Sequence, residues 1–346
     1  MDWRHSGQCG ASFGQRVAVP AHSTRGQGWF LAGSAASLCM VTSGLMAALT
    51  GPHPSLSFEF FPPKDSAGAA RLAEHAASLQ DLSPDFLSVT YGAGGSSIEA
   101  RQRSVAASKL LGQQTGAPMV AHLALSGHTM IELEQVIDQF LANNVAGFMA
   151  LRGDPPGGPA ARWINYPDGI TYANQLVDLI RRRSDLPIGV AAFPFGHPAA
   201  LNLTADTAAL AAKRAAGADF AVTQVLFEAG PYQRLRDRVA AANLDLPLVP
   251  GIMPITATTK ISKLELFHGA PLPDRLLAQL QAAAGDAIAT ERIGLKWAVG
   301  LAKELLAAGA PGVHFYTLNS SVATTRICAE LGLRGHPFGS AKADAG

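Results

Sequence analysis

The stretch MVAHLALSGHTMIELEQVIDQFLANNVAGFMALRGD, residues 119–154, reads as strand, helix and strand. MVAHLAL (119–125) and GFMALRG (147–153) are apolar runs of strand length, and 129–142 between them carries a helical pattern. Both runs are apolar on both faces, as parallel strands buried between layers are. A parallel pair needs a crossover of about a dozen residues or more, which the intervening helix supplies.

The same unit repeats in both directions. Upstream, LSFEFF (56–61) ends at Pro62 and Pro63, a helix is expected over 66–80, DFLSVTY (85–91) follows, and another helix spans about 97–111. Downstream, a Pro/Gly-rich loop from Asp154 to about Gly169 leads to a helix ending at Arg183. Then come PIGVAAF (187–193), DFAVTQVLF (219–227), LPLVPGI (246–252) and GVHFYTL (312–318), separated by helices at about 204–216, 230–242, 259–268 and 286–308. Eight strands alternating with helices predict a single α/β domain, a (β/α)8 TIM-type barrel with an N-terminal extension. An open doubly wound sheet shares this local pattern, but no early G-x-G-x-x-G fingerprint follows the first strand. Gly92-Ala93-Gly94-Gly95 reads instead as a tight turn between strand and helix.

Composition narrows the function classes. Of 346 residues 48% are hydrophobic and 15% charged, with Lys+Arg 27 against Asp+Glu 26 and a net charge of +1. That balance gives no global electrostatic case for a nucleic-acid partner. Three cysteines, Cys9, Cys39 and Cys328, are too few and too scattered for a disulfide framework or a cysteine zinc site, which makes a reducing, cytoplasmic setting the default. Residues 1–54 form the extension, 55–335 the barrel and 336–346 a short tail. Within the extension, 28–49 is uncharged and long enough to span a bilayer, but Gly, Ser and Thr interrupt it and no second such segment follows. A targeting segment, a weak anchor and a dispensable extension all fit it, and no membrane association is expected.

Polar residues inside or just beyond the apolar strands are the candidates for chemistry. Glu59 lies among Phe58, Phe60 and Phe61, and strand alternation turns it away from its immediate neighbours towards the barrel interior. An acid there suits proton donation, while an exposed or structurally paired glutamate is the plainer alternative. Asp154, with Arg152 and Gly153 before it, sits where barrel strands present ligand-binding groups, and it fits a turn cap equally well. Gln224 offers a donor and an acceptor from an apolar strand, suited to a heterocyclic amide edge or to a buried network. His122 and His197 near strand ends fit a cofactor contact or a satisfied core position, and the ligand spacing of a metal site is missing. HFYTLN (314–319), including Tyr316, lines the mouth or seals the barrel.

SFEFFPPK (57–64), SVTYGAGG (88–95), ALRGDPP (150–156), GADFAVTQVLFE (217–228), VPGIMPI (249–255) and HFYTLN occur in an order that resembles the methylenetetrahydrofolate reductase family, over about Leu56 to Leu333. The resemblance implies reduction of 5,10-methylenetetrahydrofolate to 5-methyltetrahydrofolate by NADH or NADPH, with hydride passed through FAD. It makes Glu59 the general acid, Asp154 a carboxylate near pterin and flavin, and Gln224 and Tyr316 substrate contacts. Thr90, His122, Arg152, Gly153, Asp154, Tyr172, Ala173, His197, Asp206 and Lys213 fall at flavin-site positions, no metal is implied, and a homo-oligomer is compatible with the family. Four positions depart from the pattern. Phe193 replaces a common tyrosine, Ala209 and Ala212 replace Asn and Arg, and Ser320 replaces a folate-associated arginine. They raise the alternative of direct hydride transfer from NADH without flavin. A folate-dependent methyltransferase or demethylase and a non-catalytic folate-binding barrel are the competing classes.

Overall fold

The computed structural model describes residues 44–92, 97–155, 161–256 and 270–336. Eight parallel strands close on themselves in chain order: β1 (Ser55–Phe60), β2 (Phe86–Val89), β3 (Met119–Ala124), β4 (Gly147–Leu151), β5 (Ile188–Ala192), β6 (Phe220–Leu226), β7 (Leu248–Ile252) and β8 (Gly312–Tyr316). The predicted barrel is therefore observed, and β8 pairs directly with β1 to close it. Helices surround it: α1 (44–50), α2 (Ser66–Ala77), α3 (Ile98–Thr115), α4 (Met130–Ala142), α5 (Ala173–Arg181), α6 (Leu203–Ala215), α7 (Ala229–Ala241), α8 (Asp274–Ala282), α9 (Ala287–Ala307) and α10 (Val322–Leu331).

Strand ends differ from the sequence reading for a local reason. β4 stops at Leu151 because Gly153 has φ +76, and β8 stops at Tyr316 because Leu318 and Asn319 take φ 52 and 60. Positive φ leaves the extended region, so the chain turns out of the barrel there. Helices α8 and α10 were not anticipated, and the helix expected at 259–268 lies outside the described residues. α4 begins with a capping box, in which Thr129 Oγ1 accepts from Glu132 N–H and Glu132 Oε2 accepts from Thr129 N–H.

Alternation along the strands sorts side chains between two environments. Phe58 and Phe60 on β1 join Leu123, Phe148 and Val190 in the large cluster that also contains Leu72, Leu111 and Ile137 from the helices. The opposite faces point inward. At the N-terminal end of the barrel Phe86, Val120, Met149, Phe220, Val222 and Val249 form a separate cluster with Leu45 and Leu49 of α1. Leu45 and Leu49 are 0% and 1% exposed, so α1 plugs the floor of the barrel although the sequence reading groups it with the extension. Above this apolar floor the interior becomes polar, with Ser57, Glu59, Ser88, His122 and His314 buried.

Truncating either plug residue removes buried apolar packing from the floor of the barrel. L45A or L49A should each lower stability by about 2–5 kcal/mol, measured as a reduced urea midpoint at unchanged m-value.

Candidate active site

β1 and β8 position the acid. In their register Ser57 faces His314 and Glu59 faces Tyr316, while Ser88 on β2 flanks Glu59 from the other side. Residues two apart on a strand share a face, so Ser57 and Glu59 point inward together, as do His314 and Tyr316. Beyond the strands, Thr317 Oγ1 donates to the Glu59 carbonyl at 2.7 Å. Asn319 brackets Phe61, accepting from its N–H at 2.7 Å and donating to its carbonyl at 3.0 Å. HFYTLN thus both seals the barrel and lines its interior.

Glu59 is 9% exposed, and two histidines approach the same carboxylate oxygen. His314 Nε2 stands 3.3 Å from Oε2, and His122 Nε2 stands 3.6 Å from it. His314 Nδ1 lies 2.8 Å from Ser57 Oγ. Burial pushes the His122 pKa below the ordinary histidine value, with His314 adding to the depression and Glu59 opposing it. Tyr316 donates its hydroxyl to the Thr223 carbonyl at 2.9 Å, and burial first, then Glu59, raises its pKa well above 10. A Cβ on Gly251 would collide with the Tyr316 ring, so β7 needs glycine opposite that phenol. Gln224 lies where the β6–β7 register shifts, and its Oε1 accepts from Val225 N–H at 3.0 Å. Its amide nitrogen has no hydrogen bond among the described residues.

A second group occupies the C-terminal mouth. Gly153 leaves no room for a side chain, because a Cβ there would stand 2.9 Å from that of Ala124 and 3.2 Å from that of Ser126. Ser126 fastens this turn, its N–H donating to the Arg152 carbonyl at 3.0 Å and its hydroxyl to the Asp154 carbonyl at 2.8 Å. Asp154 itself is exposed, and its carboxylate makes no hydrogen bond among the described residues. Crowding by the surrounding protein raises its pKa, with His197 opposing. The Arg152 guanidinium lies 3.9 Å over the Trp163 ring and 5.7 Å from that of Tyr172, and its Nε donates to the Thr171 carbonyl.

His197 connects this group to α6. Its main-chain N–H donates to Asp206 Oδ1 at 3.0 Å, and its ring meets Phe193 edge-on at 4.7 Å. Burial lowers its pKa, Lys213 and Arg152 lower it further, and Asp206 and Asp154 oppose them. Lys213 donates to the Ala191 carbonyl at 2.9 Å, and burial brings its pKa down to about 8 against the pull of Asp206. Phe193 also lies 5.8 Å from Lys213 Nζ, so the ring neighbours both cation and imidazole. Ala209 and Ala212 are exposed on α6 and carry no polar group. Thr90 lies beyond β2 with its hydroxyl buried and unpartnered among the described residues. Tyr172 caps the start of α5 and is 60% exposed, whereas Ala173 is buried and offers only its main chain.

The expected residues therefore fall into two sets. Glu59, His122 and Tyr316 converge in the interior, Gln224 is half-buried at the β6–β7 register shift, and Arg152, Asp154, His197, Asp206 and Lys213 share an electrostatic neighbourhood at the mouth. His122 belongs with the acid rather than with the cationic set. Sequence reading took in His314, Thr317 and Asn319 only as members of HFYTLN, without individual roles, and gave no role to Ser57 or Trp163. The period of two was the available signal for Ser57 and His314, each two residues from a named candidate. Among the described residues, no group of three or more His, Cys, Asp or Glu side chains is arranged to hold a metal ion, and no helix is long and apolar enough to cross a membrane.

Comparison with known proteins identifies the family of the chain. The methylenetetrahydrofolate reductase family pattern matches residues 46–332, beginning inside α1 and ending just after α10. The 5,10-methylenetetrahydrofolate reductase of Salmonella typhimurium is 34% identical over 280 residues, covering 81% of this chain and 91% of the relative. Its Escherichia coli counterpart is 34% identical over the same shares. Methylenetetrahydrofolate reductase (NADH) 1 of Arabidopsis thaliana is 29% identical over 81% of this chain, which spans 48% of that longer protein. Among solved structures, a Clostridium thermocellum protein that binds two copies of 5-methyl-5,6,7,8-tetrahydrofolic acid shares the fold, with a TM-score of 0.57 at 16% identity over 83% of this chain and 96% of that one. A family match across the whole barrel, with bacterial relatives covered almost end to end, makes this chain a member of the methylenetetrahydrofolate reductase family of oxidoreductases.

Proposed function

We propose that this chain reduces 5,10-methylenetetrahydrofolate to 5-methyltetrahydrofolate in the cytoplasm, with NADH or NADPH as reductant and Glu59 as general acid. The observation that carries the reading is a buried carboxylate on β1, held by two imidazoles beneath a polar mouth. The substrate's one-carbon unit bridges two nitrogens. Breaking one carbon–nitrogen bond needs a proton on the departing nitrogen and leaves an iminium cation at the other. Glu59 supplies that proton, and hydride addition to the iminium carbon completes the methyl group. Asp154 places a negative charge at the mouth, where it favours the cation electrostatically. Gln224 presents its amide nitrogen to the pterin, since its oxygen already serves Val225. Tyr316 closes the substrate side of the acid.

The mouth residues fit a flavin dinucleotide. Among the described residues the Thr90 hydroxyl has no hydrogen-bond partner, the Arg152 guanidinium lies over the Trp163 ring, and His197 and Lys213 share its electrostatic neighbourhood and suit phosphate oxygens. When bound, the flavin would accept hydride from the nicotinamide and pass it to the folate carbon. Asp206 orders the His197 turn, and Gly153, Tyr172 and Ala173 shape the rim around Arg152. Phe193 and the exposed Ala209 and Ala212 favour the second reading, direct transfer from nicotinamide to folate, because they leave fewer polar grips for a dinucleotide.

Stripped protein mixed anaerobically with NADH and methylenetetrahydrofolate, with and without added FAD, distinguishes these readings by mass spectrometry of 5-methyltetrahydrofolate. Product only with FAD supports the flavin route, product without it supports direct transfer, and absence of product under both conditions, with NADH and again with NADPH in its place, overturns the reductase assignment. E59Q should retain folate binding while turnover falls about 10²–10⁴-fold; unchanged turnover would remove Glu59 from the chemistry. FAD affinity should weaken as pH rises through about 8, because Lys213 is cationic below that value and neutral above it. K213M should bind FAD more weakly at pH 7 and lose this component of the pH dependence.

A further inference from the structure

We infer that Ser126, held in turn by His128 and Tyr91, is a positioning residue that sets where the Asp154 carboxylate stands at the mouth. This inference rests on the reading of Asp154 as the charge that favours the iminium cation. β4 ends at Leu151, and the chain then turns at Gly153, whose φ of +76 takes it out of the strand. Ser126 grips that turn on both sides of the glycine. Its N–H donates to the Arg152 carbonyl at 3.0 Å and its hydroxyl to the Asp154 carbonyl at 2.8 Å. With both carbonyls held by one residue, the turn cannot swing about Gly153 without losing one of the two bonds.

Ser126 is itself anchored by its neighbours. Its carbonyl accepts from His128 Nδ1 at 3.1 Å and from Arg101 Nη2 of α3 at 3.4 Å, and Arg101 also donates to the Gly127 carbonyl at 2.8 Å. A carbonyl oxygen only accepts, so Nδ1 carries the ring proton of His128. Burial first, with Arg101 adding to it, brings the His128 pKa down to about 4, which keeps the ring neutral and its Nε2 an acceptor. Burial pushes the Tyr91 hydroxyl up to about 12, so it keeps its proton and donates it to Nε2 at 3.1 Å. The two rings stack with centroids 5.8 Å apart, and Phe140 meets Tyr91 edge-on at 6.3 Å. His128 is 2% exposed. Tyr91, His128 and Ser126 thus tie the chain after β2, across the chain after β3, to the turn after β4. Electrostatic support weakens with distance, so a displaced Asp154 loses part of its effect on the cation.

Steady-state kinetics of methylenetetrahydrofolate reduction, with the nicotinamide and cofactor state that support activity, tests the inference as a double-mutant cycle of wild type, S126A, D154N and S126A/D154N. D154N should lower kcat about 100-fold, and S126A about 10-fold with the folate KM changed by less than about threefold. Because S126A acts through the carboxylate, it should change kcat by less than about twofold in the D154N background. H128A should lose activity as S126A does, and H128N, whose amide can donate to the Ser126 carbonyl, should recover most of it. Y91F should cost less, because Arg101 still holds Ser126. An equal loss from S126A in both backgrounds, as damaged packing alone would give, overturns the positioning role and leaves Asp154 its own. Unchanged kcat in S126A does the same. Full turnover in D154N overturns the role of Asp154 and this inference with it, while absence of product from wild type overturns the reductase reading and both with it. If S126A does not fold, the same cycle with Y91F, which removes a single oxygen, carries the test.

Discussion

Closure of β8 onto β1 is the constraint on which both the fold and the acid depend. A parallel sheet whose first and last strands remained apart would expose unpaired main-chain groups on two edges, and pairing them removes both edges at once. The same seam brings Ser57 against His314 and Glu59 against Tyr316. Thr317 and Asn319 then tie the chain after β8 to the chain after β1, holding the main chain on either side of the acid. The last strand of the barrel therefore aligns the principal carboxylate contributed by the first.

Polarity is layered along the barrel axis. Phe86, Phe220 and Val249, with Leu45 and Leu49 of α1, make a dry floor at the N-terminal end. The carboxylate, imidazoles and hydroxyls lie above it, and the cationic and acidic side chains of the mouth lie at the C-terminal ends of the strands. A charged group is costly to bury without partners, so the interior acid comes with two histidines close to one of its oxygens. Asp154 is exposed, and it keeps its carboxylate available without such support. One barrel thus presents two carboxyl groups in unlike surroundings, one enclosed beside imidazoles and one exposed at the mouth.

The departures at Phe193, Ala209 and Ala212 acquire a physical meaning in this setting. Phe193 packs edge-on against His197 and lies near Lys213, so its ring helps hold a loop whose neighbours are polar. Ala209 and Ala212 are on the open side of α6, where a longer side chain would meet solvent or ligand rather than core. These substitutions leave the barrel packing untouched. They alter the number of polar contacts available at the rim.

The sequence by itself determined the eight-strand barrel, the inward direction of Glu59 and the placement of Arg152, Gly153 and Asp154 just past a strand. Period-two alternation and regular helical crossovers are local properties, visible without knowing which strands meet. Local pattern did not reveal that Leu45 and Leu49 close the floor, because a short helix with two buried leucines looks like any apolar stretch until its receiving surface exists. Nor did it rank His314, which lies 255 residues from Glu59 along the chain. Only barrel closure brings the two side chains within reach, and only the tertiary structure shows both imidazoles approaching one oxygen. Their contact is set by strand register and ring packing, which depend on residues from opposite ends of the chain.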